Sequence, residues 1–217
     1  MRFGCLVLDH DDTVVNSTAS IHYPCFCAHL ENVRPGVHYS LTDYFRKNFE
    51  PGIYSLFTDE LGFSEQEMRE EFAFWQSYVN GHIPSAFPGV REVLEEYRAR
   101  GGVITVVSHS VSEQIRRDYR SNRLPMPELI FGWELPAEQR KPSPYALEQI
   151  MAHFGLPPEQ LLMVDDLKPG YDMARSCGVP FAAAGWAYNV PEIETFMRKN
   201  SDFYLKTVEE FASLVLD

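Results

Sequence analysis

Short apolar runs that stop abruptly at acidic or polar residues recur along this chain. Residues 3–8 (Phe-Gly-Cys-Leu-Val-Leu), 103–107, 129–131, 161–164 and 181–184 each read as a strand without polar alternation. Such runs belong to strands covered on both faces, as in a parallel sheet flanked by helices. Between them the apolar period lengthens. Over 89–100, Val90, Val93, Leu94 and Tyr97 share one helical face and the pattern ends at Gly101, a C-terminal stop signal. Over 143–154, Tyr145 or Ala146 joins Leu147, Ile150 and Met151 on one face, stopping before Gly155. Strands alternating with helices predict an α/β fold with a doubly wound, Rossmann-like parallel sheet.

One segment breaks this rhythm. Residues 16–87 contain no convincing strand and are rich in aromatics, among them Tyr44, Phe45, Phe57, Phe74 and Trp75. Ser64-Glu65-Gln66-Glu67 is a capping-box pattern ahead of a helix over 68–79. The expectation is a helical insertion over 16–87 with its own small core, set into a sheet domain formed by 1–15 and 88–217. Most of the aromatics are expected to fill that small core.

Composition narrows the functional classes. The 217 residues carry 19 Lys plus Arg against 31 Asp plus Glu, a net charge of −12. An acidic chain gains nothing from releasing counterions on a nucleic acid, so no nucleic-acid partner is expected. A small anionic substrate stays possible where a cation reverses the field locally. The four cysteines, Cys5, Cys25, Cys27 and Cys177, show neither a disulfide framework nor zinc-ligand spacing. The apolar run before Asp9 is too short for a signal peptide, and no stretch approaches the ~20 apolar residues of a membrane span. A cytoplasmic protein without a membrane partner is the expectation.

Ligands of an open parallel sheet sit beyond the carboxyl ends of its strands, so the residues that end the apolar runs carry the candidate chemistry. The first run ends in Asp9-His10-Asp11-Asp12-Thr13, the second in Ser108-His109-Ser110, the fourth in Asp165-Asp166, and Arg140-Lys141-Pro142 lies between the third and fourth. Asp9 and Asp11, two apart on a strand, point the same way. Gathered carboxylates repel, each close pair at an intermediate effective dielectric costing on the order of 4 kcal/mol, so they take up protons or bind a cation. Mg²⁺ suits a few carboxylates completed by water and phosphate. A calcium loop from Asp9 fails, since Val14 and Ser20 stand where Gly and Glu are needed. The Gly-Lys-Ser/Thr phosphate loop, the dinucleotide fingerprint and the serine elbow are also missing.

These four elements in order resemble the haloacid dehalogenase superfamily, specifically members like phosphoglycolate phosphatase and β-phosphoglucomutase with a helical cap. The resemblance spans nearly the whole chain and includes Phe87-Pro88-Gly89-Val90 ahead of the second motif. It implies a phosphatase acting on a small phosphorylated metabolite. Asp9 would be the nucleophile, forming an aspartyl-phosphate, and Asp11 the general acid and base. Mg²⁺ would be held by Asp9, the backbone carbonyl of Asp11 and Asp166, with Asp165 the alternative to Asp166. Ser108 and Lys141 would hold the phosphoryl oxygens. His109 is grouped with them, although a packing or hydrogen-bonding role is its plainer reading, as it is for His10. Ser108 could equally cap the following helix.

The departures lie at His10, usually apolar in the family, at Asp12, often Gly, and at Asp165, commonly Gly. Asp172 falls six residues beyond Asp166, which leaves its reach to the metal open. The insertion would act as a cap that selects the leaving group, with His22, Tyr44, Arg46 and Lys47 as substrate candidates. Arg46 and Lys47 also read as a solvated pair. A sugar phosphomutase is the alternative; its hinge histidine would fall at Ile21, beside His22. A haloacid dehalogenase or a non-enzymatic protein of the same fold are further readings.

Overall fold

The computed structural model describes residues 2–217. The described residues divide into two compact units, one formed by residues 2–16 with 85–217 and the other by 17–84.

The first unit is built on a six-stranded sheet of β1 (Cys5–Leu8), β4 (Val103–Val107), β5 (Leu129–Phe131), β6 (Leu161–Asp165), β7 (Phe181–Ala184) and β8 (Phe203–Leu205). The order is β5-β4-β1-β6-β7-β8 and every pairing is parallel. β1, β6 and β7 are buried along their whole length, which accounts for their unbroken apolar runs. Leu8 pairs with Val106 on one side and Val164 on the other. The chain leaves β1 toward β4 and returns on its far side as β6. β1 is therefore the point where the winding reverses, and a crevice opens beyond the carboxyl ends there.

Two two-residue strands, β2 (Val15–Asn16) and β3 (Ser85–Ala86), form a separate antiparallel pair. The last residues of the segment expected as insertion thus belong with the sheet. β8, three residues of which two are half-buried, was also not anticipated.

The second unit is helical. Its elements are α1 (Tyr23–Val33), α2 (Leu41–Phe49), the single turn α3 (Ile53–Ser55) and α4 (Glu65–Asn80), with π-helical turns at Thr18–His22 and Leu56–Glu60. The Ser64 hydroxyl accepts from the Glu67 N–H and the Glu67 carboxylate accepts from the Ser64 N–H, so the expected capping box starts α4. Phe26, Leu30, Tyr44, Leu56, Phe57 and Phe63 make its core.

The sheet unit adds α5 (Val90–Ala99), α6 (Ser112–Ser121), α7 (Tyr145–Phe154), α8 (Lys168–Cys177), α9 (Pro191–Asn200) and α10 (Val208–Leu216). α5 buries Val90, Val93, Leu94 and Tyr97, and the Tyr97 hydroxyl donates to the Phe3 carbonyl at 2.9 Å. α7 buries Ala146, Leu147 and Ile150 and ends at Gly155 in the left-handed conformation. Among the described residues no helix is long and apolar enough to cross a membrane.

Candidate active site

The ends of β1, β4 and β6 lie side by side, and the register delivers their terminal residues to one place. The Asp9 N–H donates to the Val164 carbonyl at 2.9 Å, which keeps Asp9 level with the end of β6. The chain then reverses. Val14 and Val15 both donate to the His10 carbonyl, and the Asp12 N–H donates to the Val15 carbonyl at 2.7 Å. Asp12 takes φ of 57° to make this turn. That conformation disfavours most side chains and is tolerated by Asp, a physical reason for the choice of residue there.

Lys141 is the centre of the site. Its Nζ donates to Asp9 Oδ1 and to Asp165 Oδ2, both at 2.7 Å, with all three side chains nearly or wholly buried. Burial alone would discourage the ammonium charge, but the carboxylates of Asp165 and Asp9 overcome it and hold Lys141 above the usual lysine range. Asp165 is fully engaged: its other oxygen accepts from the Leu167 N–H at 2.8 Å. Asp166 is different. It is 4% exposed, and its Oδ1 has no hydrogen-bond partner.

Asp9, Asp165 and Asp166 each offer an oxygen, and these atoms lie within 4.8 Å of one another. Three carboxylates against one ammonium leave two uncompensated negative charges in a buried place. Burial, opposed by Lys141 and reinforced by Asp165 and Asp11, pushes the Asp9 carboxyl up to about 7. Burial, then the charges of Asp165, Asp12 and Asp9, raise Asp166 well above the carboxylate range. An orphaned oxygen, an all-oxygen donor set and a surplus of two negative charges fit a hard divalent cation. Both Asp165 oxygens and Asp9 Oδ1 already accept hydrogen bonds, whereas Asp166 Oδ1 accepts none.

The remaining residues sort themselves around this cluster. The Asp11 carboxylate is not one of the three; it accepts from the Ser110 hydroxyl at 2.6 Å. Ser108 is buried and its hydroxyl accepts from the Ser110 N–H at 3.1 Å. It does not cap α6, whose N-terminal flank is Val111. His109 donates Nε2–H to the Lys141 carbonyl at 3.1 Å, and burial together with Lys141 lowers its ring to about 4. It braces the lysine's main chain. Asp172 pairs with Lys168 one turn earlier on α8, at 3.1 Å, and stands outside the three-carboxylate group.

In the helical unit, Tyr44 lies in the apolar core against Phe26, ring centroids 4.8 Å apart. Arg46 pairs with Asp43 and Lys47 with Glu60. His22 Nδ1 accepts from the Trp75 indole N–H at 3.1 Å. Sequence reasoning gave no role to Ser110 or Tyr188. Ser110 was visible as a hydroxyl two residues past Ser108, whereas the Tyr188 hydroxyl, which donates to the Asp166 carbonyl at 3.0 Å, comes from a loop without a signal.

A parallel sheet whose reversal point gathers three buried carboxylates and a lysine defines an α/β protein with a charged cluster at its strand ends. The chain belongs to the haloacid dehalogenase-like hydrolase family, whose model matches residues 6–184. It is 27% identical over 154 residues to the phosphoglycolate phosphatase of Haemophilus influenzae strain 86-028NP, covering 69% of this chain and 65% of that protein. It is 27% identical over 165 residues to phosphoglycolate phosphatase 1 of Pseudomonas aeruginosa, covering 71% and 60%. The matched region thus spans less than two thirds of these relatives' length. Among solved structures, a haloacid dehalogenase-like family hydrolase from Streptococcus pneumoniae superposes with a TM-score of 0.78 at 18% identity, covering 98% of both chains. A family hydrolase from Deinococcus radiodurans with bound phosphate and sodium gives 0.72 at 19% identity, covering 99% and 98%.

Proposed function

We propose that this chain is a Mg²⁺-dependent phosphomonoesterase acting on a small phosphorylated metabolite, with Asp9 as nucleophile and Asp11 as general acid and base. The observation that carries the reading is the buried Asp9 carboxylate, held by Lys141 within a carboxylate cluster whose Asp166 oxygen has no partner.

An Asp9 oxygen attacks phosphorus and the ester oxygen departs, taking the proton of Asp11, so that an aspartyl-phosphate remains. Asp11, now a carboxylate, removes a proton from water; the water oxygen bonds to phosphorus and the acyl-phosphate P–O bond breaks, returning Asp9 and phosphate. The Ser110 hydroxyl donates to one oxygen of the Asp11 carboxylate and so orients the group. Lys141 orients Asp9 and supplies positive charge to phosphoryl oxygens, aided by the Ser108 hydroxyl. A divalent cation held by Asp9, Asp166 and the Asp11 carbonyl would supply charge neutralisation for the incoming phosphate. The helical unit would act as the cap and carry specificity. Tyr44 sits in the helical core, Arg46 and Lys47 pair with Asp43 and Glu60, and His22 accepts from the Trp75 indole, so substitution of each of the four candidates would test which carries specificity.

Phosphoglycolate, the compound in the names of the similar phosphatases, is the first substrate to try in the panel. Purified protein with Mg²⁺ should release phosphate from one or more members of a broad phosphate-ester panel, and Asp9→Asn should abolish release. Turnover that persists in Asp9→Asn would defeat the mechanism.

A further inference from the structure

The turn that carries Asp9 and Asp11 is tied to α6 by a buried pair that the reaction above does not use. His10 Nε2 lies 3.1 Å from Asp118 Oδ2, the two side chains being 1% and 4% exposed. Asp118 Oδ1 accepts from Arg117 Nε and Nη2, each at 2.8 Å. The other His10 ring nitrogen is buried without a partner. A carboxylate can only accept, so Nε2 donates to Asp118. The imidazole also stacks on Tyr119 of α6, with centroids 5.9 Å apart and planes at 25°.

His10 therefore holds the turn in two ways. Its carbonyl receives the N–H groups of Val14 and Val15 at 3.0 and 3.1 Å, and its side chain anchors the same peptide to α6. The residue is 1% exposed and stacks on Tyr119, which belongs to the apolar core of the sheet unit. Burying a histidine and an aspartate there is unfavourable unless their bond does something that packing does not. His10 is the residue between the proposed nucleophile and the proposed acid. Fixing its peptide fixes the directions in which both carboxylates leave the strand end.

We propose that the His10–Asp118 pair is a positioning device that aims Asp9 and Asp11 and makes no contact with substrate. The inference rests on the assignment of those two carboxylates given above. It predicts a loss in kcat and not in binding, since displacing a reacting group by about 1 Å costs on the order of 100-fold.

The test compares His10→Leu, which fills the space without a donor, with His10→Gln, whose amide N–H can reach Asp118. Two readouts are taken: steady-state phosphatase kinetics on the best substrate of the panel, and amide hydrogen exchange across residues 9–15. The expected result is a 10- to 100-fold fall in kcat for His10→Leu, with KM within about threefold of the parent, and recovery to near the parent rate in His10→Gln. Exchange at Val14 and Val15 should quicken at least tenfold in His10→Leu while the amides of β4, β6 and β7 stay protected. Should His10→Leu fail to fold, His10→Asn, whose amide stops short of Asp118, replaces it in the comparison. Unchanged kcat with unchanged local exchange overturns the proposal, and so does a uniform loss of protection through the whole sheet. A parent chain without phosphatase activity sinks the functional reading instead, and the exchange comparison then still decides whether the pair holds the turn.

Discussion

Gly170 sits in the first turn of α8, directly against Asp165. An added Cβ there would lie 2.1 Å from Asp165 Oδ2 and 2.4 Å from its Cγ, where ordinary contact begins at 3.4 Å. The carboxylate has nowhere to go, because one oxygen is held by the Leu167 N–H and the other by Lys141. Gly170→Ala should therefore force the Asp165–Lys141 bond apart or push α8 off β6. Overpacking costs about 1–3 kcal/mol, and a hydrogen bond to a charged partner contributes about 1.5–3 kcal/mol. Against this, Ala is favoured over Gly inside a helix by about 1 kcal/mol, and less in a first turn. Steric and electrostatic terms win, with net destabilisation of about 2–3 kcal/mol, or a fall in Tm of roughly 5–10 °C for a chain of this size. Lys141 loses its second anchor in the process, so kcat should fall on the order of 100-fold. Thermal unfolding followed by circular dichroism and steady-state kinetics measure the two effects. Gly81→Ala is the control, since its Cβ would meet only the Tyr78 carbonyl oxygen, at 3.5 Å. A Gly170→Ala protein as stable as the parent and fully active would refute the idea that α8 packs Asp165 against Lys141.

Ser110→Ala removes the hydroxyl that holds Asp11 and should lower kcat about tenfold with little change in KM, read from initial rates; an unaltered kcat would exclude Ser110 from the acid–base step. Mg²⁺ at about 100 times its dissociation constant should stabilise the fold by about 2.7 kcal/mol, seen as a rise in Tm that EDTA reverses and Asp166→Asn eliminates. No shift at millimolar Mg²⁺ would count against the cation site. Glu71, half-buried on α4, is pushed up to about 7 by burial. The native state keeps a proton that the unfolded chain gives up from about pH 4.5, so stability should decline as pH rises through this window and level off above 7. Glu71→Gln should flatten that decline and gain on the order of 2 kcal/mol over the parent at pH 8, measured by urea unfolding at several pH values; parallel pH profiles for the two proteins would contradict it.

Much of the sheet could be read from the chain because five of its six strands give continuous apolar runs, and burial on both faces leaves no other solution. β8 (Phe203–Leu205) escaped although it is as long as β5 and no more exposed; the Tyr204 hydroxyl breaks its apolar run. The residues at the ends of the runs were legible for the same reason: each polar stop marks the rim where ligands gather. Side-chain direction was not legible. Asp165 and Asp166 are adjacent in sequence, and only the coordinates separate the one that accepts from Lys141 and Leu167 from the one with a bare oxygen. His10 illustrates the limit differently. Its partner lies 108 residues away on α6, and no local signal announces a pairing of that span. The Lys47 partner, Glu60, lies 13 residues away and outside α2, so spacing did not reveal it, whereas Arg46 and Asp43 stand three apart on α2 and could have been matched.

The two-residue pair of β2 and β3 has a consequence for how such a chain can change. Asn16 and Ser85 lie opposite each other, so everything between them begins and ends at one spot on the sheet unit and counts, for that unit, as an elaborate hairpin turn. Closing a longer or shorter excursion costs only about 0.6 kcal/mol per doubling of its length. The helices in that excursion can be lengthened, exchanged or redesigned while β1, which leads into Asp9, keeps its neighbours.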